Sequence, residues 1–340
     1  MRDMKVALFD SSRRLTEFQR VLTQHGVSST LMTFGNSKWV THDFADTDIL
    51  IYYPSFEYSS NYPLALHTVK DNLVFLHERY PHLVMYPDSS LIPYYNDKYR
   101  QYLFLRKAGF LVPETVALVS PDEVSSAAHD LGFPLVVKNR FGAGGGYVFL
   151  VKTLKELEGL YRASTLDYMT GWGLGYLARQ LGQREFWYHL IKEKRSLYPL
   201  LSFPLLAQRY LSHEKDLKIV VGDGRTVEMH WRRPARADMW KVNIDGGAVG
   251  VWGYVPPEPL AVAKDLAKQL DARWINCDML FHDGQFYLTE YSPVWHHYKF
   301  KEHDDFVYEE AYNADLPLQE GLDLEELIVR SLLKAAGGAE

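Results

Sequence analysis

Hydrophobic positions in the first quarter of the chain change period repeatedly. Lys5 to Phe9, Ser29 to Phe34, Ile49 to Tyr53 and Leu83 to Tyr86 are short apolar runs of strand length. Leu15 to His25 instead repeats its apolar positions at helical spacing and stops at Gly26, and Leu64 to Tyr80 predicts a second helix. Strands alternating with helices predict a parallel α/β sheet. Pro87 and Pro93 then interrupt the pattern, so a first domain is expected over residues 1–95. Beyond it, Asn96 is expected to cap a helix from Asp97 to Ala108, with Lys98 in its first turn and Gly109 as its stop.

The pattern is most informative from Phe133 to Val148, FPLVVKNRFGAGGGYV. A helix opened by Pro121-Asp122-Glu123 leads through Gly132 into a buried strand, where Lys138 breaks the apolar run just before Gly142, Gly144, Gly145 and Gly146. Consecutive glycines let the main chain turn its N–H groups toward an anion, and the lysine adds a full positive charge. No Lys-Ser or Lys-Thr follows the glycines as a Walker loop requires, and the spacing is not that of a dinucleotide fingerprint.

Lys155 to Tyr161 is expected to be helical, and residues 164–204 lose periodicity while gaining aromatic and basic residues, which reads as a helical insertion. Leu205 to Leu211, Leu217 to Val221 and Val227 to Trp231 then read as strands, the last two joined by Gly222-Asp223-Gly224, and Pro259 to Leu270 as a helix. The closing WINCDMLFHDGQFYLTEYSP is a hairpin whose register decides its chemistry. A two-residue Asp283-Gly284 turn would send Asp278 and Glu290 to opposite faces. A three-residue loop over His282-Asp283-Gly284 would pair Asp278 with Leu288 and bring Glu290, then Ser292, onto Asp278's face. Residue pattern leaves both registers open, and only the second would offer two hard oxygen ligands to Mg²⁺. By alternation, Cys277 should then face away from them.

Composition narrows the field. With 37 Lys and Arg against 43 Asp and Glu, a net charge of −6 argues against a general nucleic-acid surface. One cysteine excludes an intramolecular disulfide, MRDMKVALFD lacks a signal-peptide core, and no apolar run approaches the ~20 residues that span a bilayer, so a cytoplasmic protein without a membrane partner is expected.

The order Lys98, FPLVVKNRFGAGGG, LLAQRYL, DLKIVVGDGRTVEMHWRRP, KVNIDGG and CDML…YLTEYSP resembles the ATP-grasp superfamily, and more narrowly its glutathione synthetase and peptide glutamate-ligase branch. The resemblance covers residues 92–295 and implies an α+β ATP-grasp domain over 96–340, divided at 204/205, behind the small α/β domain that commonly precedes it. It assigns Lys98 and Lys138 to nucleotide phosphates, with Gly144, Gly145 and Gly146 in a mobile cover. It assigns Gln208, Arg209, Tyr210 and Leu211 to the adenine edge and Asp216 to the ribose. Arg233, Lys241 and Asn243 would meet the transferring group, leaving Arg232 as an outward neighbour. Asp278, Glu290 and Ser292 would hold Mg²⁺ or Mn²⁺, with Ser292 departing from the usual Asn.

What the resemblance implies is an ADP-forming carboxylate–amine ligase working through an acyl phosphate on small-molecule or peptide substrates. Two alternatives stay open, a nucleotide-binding regulatory protein and a small-molecule kinase. A homo-oligomer is compatible with the sequence, and His296 and His297 follow the hairpin closely enough to reach a substrate, although a surface or core place is the reading preferred for them.

Overall fold

The computed structural model describes residues 4–9, 14–33, 37–52, 62–141, 148–164, 182, 204–236, 239–242, 244, 247–295, 297, 306–308 and 323–337. In chain order the elements are β1 (Val6–Phe9), α1 (Leu15–Gln24), β2 (Ser29–Met32), β3 (Ile49–Ile51), α2 (Tyr62–Arg79), β4 (Val84–Tyr86) and α3 (Lys98–Lys107). There follow β5 (Thr115–Leu118), α4 (Pro121–Leu131), β6 (Leu135–Asn139), β7 (Val148–Val151), α5 (Leu154–Ser164), β8 (Leu205–Arg209), β9 (Asp216–Gly222) and β10 (Arg225–Arg233). The last are β11 (Val249–Trp252), α6 (Pro257–Gln269), β12 (Trp274–His282), β13 (Gln285–Ser292), β14 (Phe306–Tyr308) and α7 (Leu324–Ala335). The glycine loop, Asn243, His296 and nearly all of the 164–204 insertion lie outside the described residues. Among those described, no helix is long and apolar enough to cross a membrane.

Three sheets organise the described residues. The first is parallel in the order β2-β1-β3-β4, as the alternating periods predict. One of its faces packs on α1 and α7 through Phe18, Val21, Leu22, Ile328 and Leu332, and the other on Leu73 and Leu76 of α2. The second sheet, β5-β8-β6-β7, is antiparallel and is covered by α4 and α5. The third and largest runs β13-β12-β9-β10-β11-β14 and buries one face against α6 and α3.

α3 begins one residue later than expected. Asp97 is the cap and accepts from the Arg100 N–H at 3.1 Å, while Asn96 turns the chain just before it with φ at 55°.

The two hairpins of the third sheet correct the expected registers. Each closes on a two-residue Asp-Gly turn with both φ values positive, 47° and 71° at Asp223-Gly224 and 47° and 76° at Asp283-Gly284. His282 pairs with Gln285, so the three-residue loop of the second register does not form. A β-bulge brings the carboxylates together instead. Met279 still pairs with Leu288, but Asp278 pairs with Glu290, which leaves Thr289 as the extra residue with its hydroxyl donating to the Asp278 carbonyl at 3.0 Å. In the other hairpin Thr226 pairs with Val221 and Glu228 with Val220, so Val227 is extra and Arg232 falls opposite Asp216.

Gly222 lies opposite Trp274, and a Cβ there would stand 2.3 Å from the indole. The ring has little freedom to yield, since its N–H donates to Ser331 at 3.2 Å and the Trp274 backbone N–H to Asp88 at 3.1 Å. Gly222→Ala should therefore lower unfolding stability by roughly 1–3 kcal/mol, read from the urea midpoint. An unchanged midpoint would show that this packing can relax.

Candidate functional site

Alternation along β9 gives the third sheet two unlike faces. Leu217, Ile219 and Val221 enter the core, joined there by Met229, Trp231, Ile275, Cys277, Met279, Leu288 and Tyr291. The other face carries Asp216 and Lys218, and direct cross-strand pairing adds Arg232 and His230 from β10, Asn276 and Asp278 from β12, and Glu290 and Ser292 from β13. Cys277 faces away from the carboxylates as expected, and burial pushes its thiol up. It is not a poised nucleophile.

The charges on this face neutralise one another. Arg232 grips both Asp216 oxygens at 2.7 and 2.8 Å and reaches Asp278 at 3.2 Å. Lys218 donates to Asn276 at 2.8 Å and lies 3.4 Å from Asp278. Burial by itself would raise Asp278, but Arg232 and Lys218 outweigh it and hold the carboxyl below its ordinary value. Burial wins at Asp216, which is pushed up to about 6 in spite of Arg232, with the nearby Asp278 charge adding to the shift.

The second sheet and α3 supply the opposing cations. Lys138, at the end of β6, is 8% exposed and donates to Gln208 at 3.0 Å, and Gln208 in turn donates to Thr115 at 2.8 Å. Desolvation, helped by the charge of Lys98, lowers Lys138 to about 8 against the pull of Glu290. Lys98 is buried with its ammonium 3.6 Å from Glu290.

Two clamps fix this geometry. Asp97 takes both arms of the Arg140 guanidinium at 2.8 and 2.7 Å while the Lys98 N–H donates to the Arg140 carbonyl at 3.0 Å, which ties the start of α3 to the residues entering the glycine loop. Gln101 bonds the Tyr291 backbone in both directions, at 2.8 and 3.2 Å, which holds α3 against β13 beside Glu290.

The expected residues thus fall into two groups. Lys98, Lys138, Asp216, Asp278 and Glu290 line one region, with Ser292 at its edge, where its hydroxyl accepts from the Val294 N–H at 3.2 Å. Arg233 does not join them. It is exposed at the end of β10 on the face opposite Arg232, and the Val227 bulge is the cause. Arg232, expected to point outward, is the arginine that meets the carboxylates. Lys241 lies over the Trp240 ring at 5.5 Å. Gln208 is engaged with Lys138, Arg209 is exposed and pairs with Glu114 at 3.1 Å, and Tyr210 and Leu211 follow the end of β8.

Comparison with known proteins identifies the fold. Residues 95–170 match the model of the RimK-like ATP-grasp domain, and no curated protein sequence matches the chain. Among solved structures, the ATP-grasp ligase PsnB complexed with its minimal precursor is 12% identical, with a TM-score of 0.58 over 98% of this chain and 99% of the other. D-Alanine–D-alanine ligase from Bacillus anthracis is 16% identical, with a TM-score of 0.54 over 86% of each chain. N5-carboxyaminoimidazole ribonucleotide synthetase from Thermotoga maritima is 15% identical, with a TM-score of 0.53 over 85% of this chain and 68% of that one. The chain has an ATP-grasp fold.

The ATP-grasp donor set suits a nucleotide-bound Mg²⁺. Asp278 and Glu290 stand directly opposite each other on one face, and Mg²⁺ takes few carboxylates, completing its shell with phosphate oxygens and water. Among the described residues no group of three or more His, Cys, Asp or Glu could hold a metal ion. Sequence reasoning missed Asn276, although alternation along WINCDML puts it on Asp278's face, opposite Ser292. It also missed Glu228, whose position depends on the Val227 bulge.

Arg232→Met leaves Asp216 and Asp278 with a buried charge uncompensated, so at about pH 7.5 it should cost roughly 3–5 kcal/mol of stability. The loss should shrink toward about pH 5, because carboxyls deprived of Arg232 take up protons more readily in the folded than in the unfolded chain. Denaturant unfolding at both pH values tests this, and a loss independent of pH would mean that only packing is disturbed.

Proposed function

We propose that the protein is an ADP-forming carboxylate–amine ligase, with residues 1–95 as a preceding domain and 96–340 as the lobes that close on ATP. One observation carries the reading: the Lys98 ammonium stands 3.6 Å from Glu290, in reach of the field of Lys138, while Asp278 lies directly opposite Glu290. Phosphate-binding cations and metal-binding carboxylates therefore meet across the boundary between the second and third sheets.

Lys98 and Lys138 take the nucleotide phosphates, the glycines at 144–146 cover them, and the segment from Gln208 to Leu211 reads the adenine edge. Mg²⁺ held by Asp278 and Glu290 would neutralise charge on the phosphate oxygens. ATP phosphorylates the acid, an amine attacks the acyl phosphate, and an amide, ADP and phosphate leave. The protein's part is positioning and charge neutralisation, for which no covalent nucleophile is required. Lys241 and Asn243, in the segment after β10, are candidate contacts for the transferring group. Peptides belong among the acids to test, since PsnB complexes hold a precursor peptide and its likeness to this chain extends over nearly all of both.

Purified protein with ATP, Mg²⁺ and pooled acids and amines should release ADP only when both pools are present. Glu290→Ala should reduce that rate by about 10²-fold or more. ADP release that needs no amine would favour a kinase instead.

Lys138 loses its charge as pH rises through about 8, so ATP affinity should weaken between about pH 7 and 9. Lys138→Met should bind ATP more weakly at neutral pH and flatten that dependence, as measured by calorimetry. Equal affinity in the variant removes the phosphate assignment.

A further inference from the structure

Beside the charged face lies a buried group that the ligase reading leaves unused. Glu228 of β10 is 1% exposed, and one oxygen is 2.6 Å from His297 Nδ1 while the other is 3.4 Å from His230 Nδ1. Burial opposes its ionisation, yet hydrogen bonds from His230 and then His297 pull it down to about 2, so it is a carboxylate throughout the neutral range. His230 is fully buried and meets the Trp252 ring edge to face at 5.2 Å, which leaves that side of Glu228 rigid. The His297 side chain is 15% exposed and forms the outer end of the array.

His297 is also fixed from the other side. Asn276 donates to the carbonyls of Ser292 and Val294 at 3.1 and 3.2 Å, which binds the chain leaving β13 across the charged face, and Trp295 is sunk into the core beside α7. Pairing places Glu228, Val220, Asn276 and Ser292 in one row and His230, Lys218, Asp278 and Glu290 in the next. Glu228 therefore stands two strands, about 10 Å, from Asn276, and His297 meets it from the chain that leaves β13.

We propose that His297, oriented by Glu228, is the group that accepts the proton of the attacking amine. The inference rests on the ligase reading. As the amine nitrogen bonds to the acyl carbon, the bond from that carbon to the phosphate oxygen breaks, phosphate leaves with the electron pair, and the proton lost by nitrogen passes to His297 Nε2. With Nδ1–H donated to Glu228, the neutral imidazole carries its lone pair on Nε2, as this step requires. Among the described residues, the charged and titratable groups around the pair are His230 and Arg232 on β10 and Lys218 on β9; burial first, then Arg232 and Lys218, lower His230 against the pull of Glu228.

The test separates the two half-reactions. His297→Asn retains a donor near the place of Nδ1 and removes the base. Wild type and variant are given ATP, Mg²⁺ and pooled carboxylic acids, with either pooled amines or hydroxylamine, which is largely neutral near pH 7 and attacks acyl phosphates without a base. The variant should form hydroxamate at close to the wild-type rate while amide formation falls by about 10²–10⁴-fold. Equal loss of both products, or unchanged amide formation, overturns the proposal. Nitrogen NMR of ¹⁵N-histidine-labelled full-length protein gives a readout independent of turnover. Neutral His297 should be the Nδ1–H tautomer and Glu228→Gln should weaken that preference, whereas an Nε2–H tautomer in the wild type overturns the base role. Wild-type protein that yields no hydroxamate with any acid defeats the ligase reading itself, an outcome distinct from the selective failures above.

Discussion

Arg232 holds the site together because it lies between two carboxylates that could not otherwise be buried side by side. Asp216 and Asp278 occupy adjacent strands of one sheet face, and Arg232 bonds to both while Lys218 supports Asp278. A buried carboxylate needs such partners, since removing one leaves the full desolvation penalty in place. The arrangement depends in turn on register. Had either hairpin run from its Asp-Gly turn without a bulge, Trp231 would stand opposite Asp216, or Thr289 opposite Asp278. Two single-residue insertions, Val227 and Thr289, keep the apolar side chains on the core face and gather the charged ones on the other.

α3 joins the two halves of the site. Its first residue provides Lys98, its cap Asp97 holds Arg140 ahead of the glycine loop, and Gln101 mimics a peptide group against Tyr291 on β13. The helix is thus bonded both to the segment that brings Lys138 and to the strand that carries Glu290. Each lysine stands near a carboxylate that could serve a metal, so without a ligand the cations and anions satisfy one another. A nucleotide with its metal would present phosphate to the lysines and positive charge to the carboxylates, replacing these pairs by stronger ones.

The Glu228 array extends the same logic. A carboxylate kept ionised beside two imidazoles can orient one of them without itself taking up the proton, and burial of His230 disfavours a charge on that ring. Asn276, two strands away, holds the chain that leaves β13 toward His297.

Local pattern determined much of this protein by itself. Alternating periods specified the parallel sheet of β1 to β4, Pro121-Asp122-Glu123 opened α4 at the residue expected, and a lysine ending an apolar run before glycines marked Lys138. Strand alternation also put Cys277 in the core. The order of motifs carried the ATP-grasp resemblance, and the fold bears it out. Tertiary structure alone decided the registers. Turn sequences specify how a hairpin starts, but a bulge several residues away arises where the core accepts one side chain and rejects the next, as at Trp231 beside Arg232 and Leu288 beside Thr289. For that reason the sequence named Arg233 where the structure presents Arg232, and it put Glu290 on Asp278's face through a loop that pairs Asp278 with Leu288, whereas a bulge pairs Asp278 with Glu290 itself. The Asp97–Arg140 and Glu228–His297 pairs lay equally beyond local reading, because each joins residues more than forty positions apart that meet only when the sheets pack.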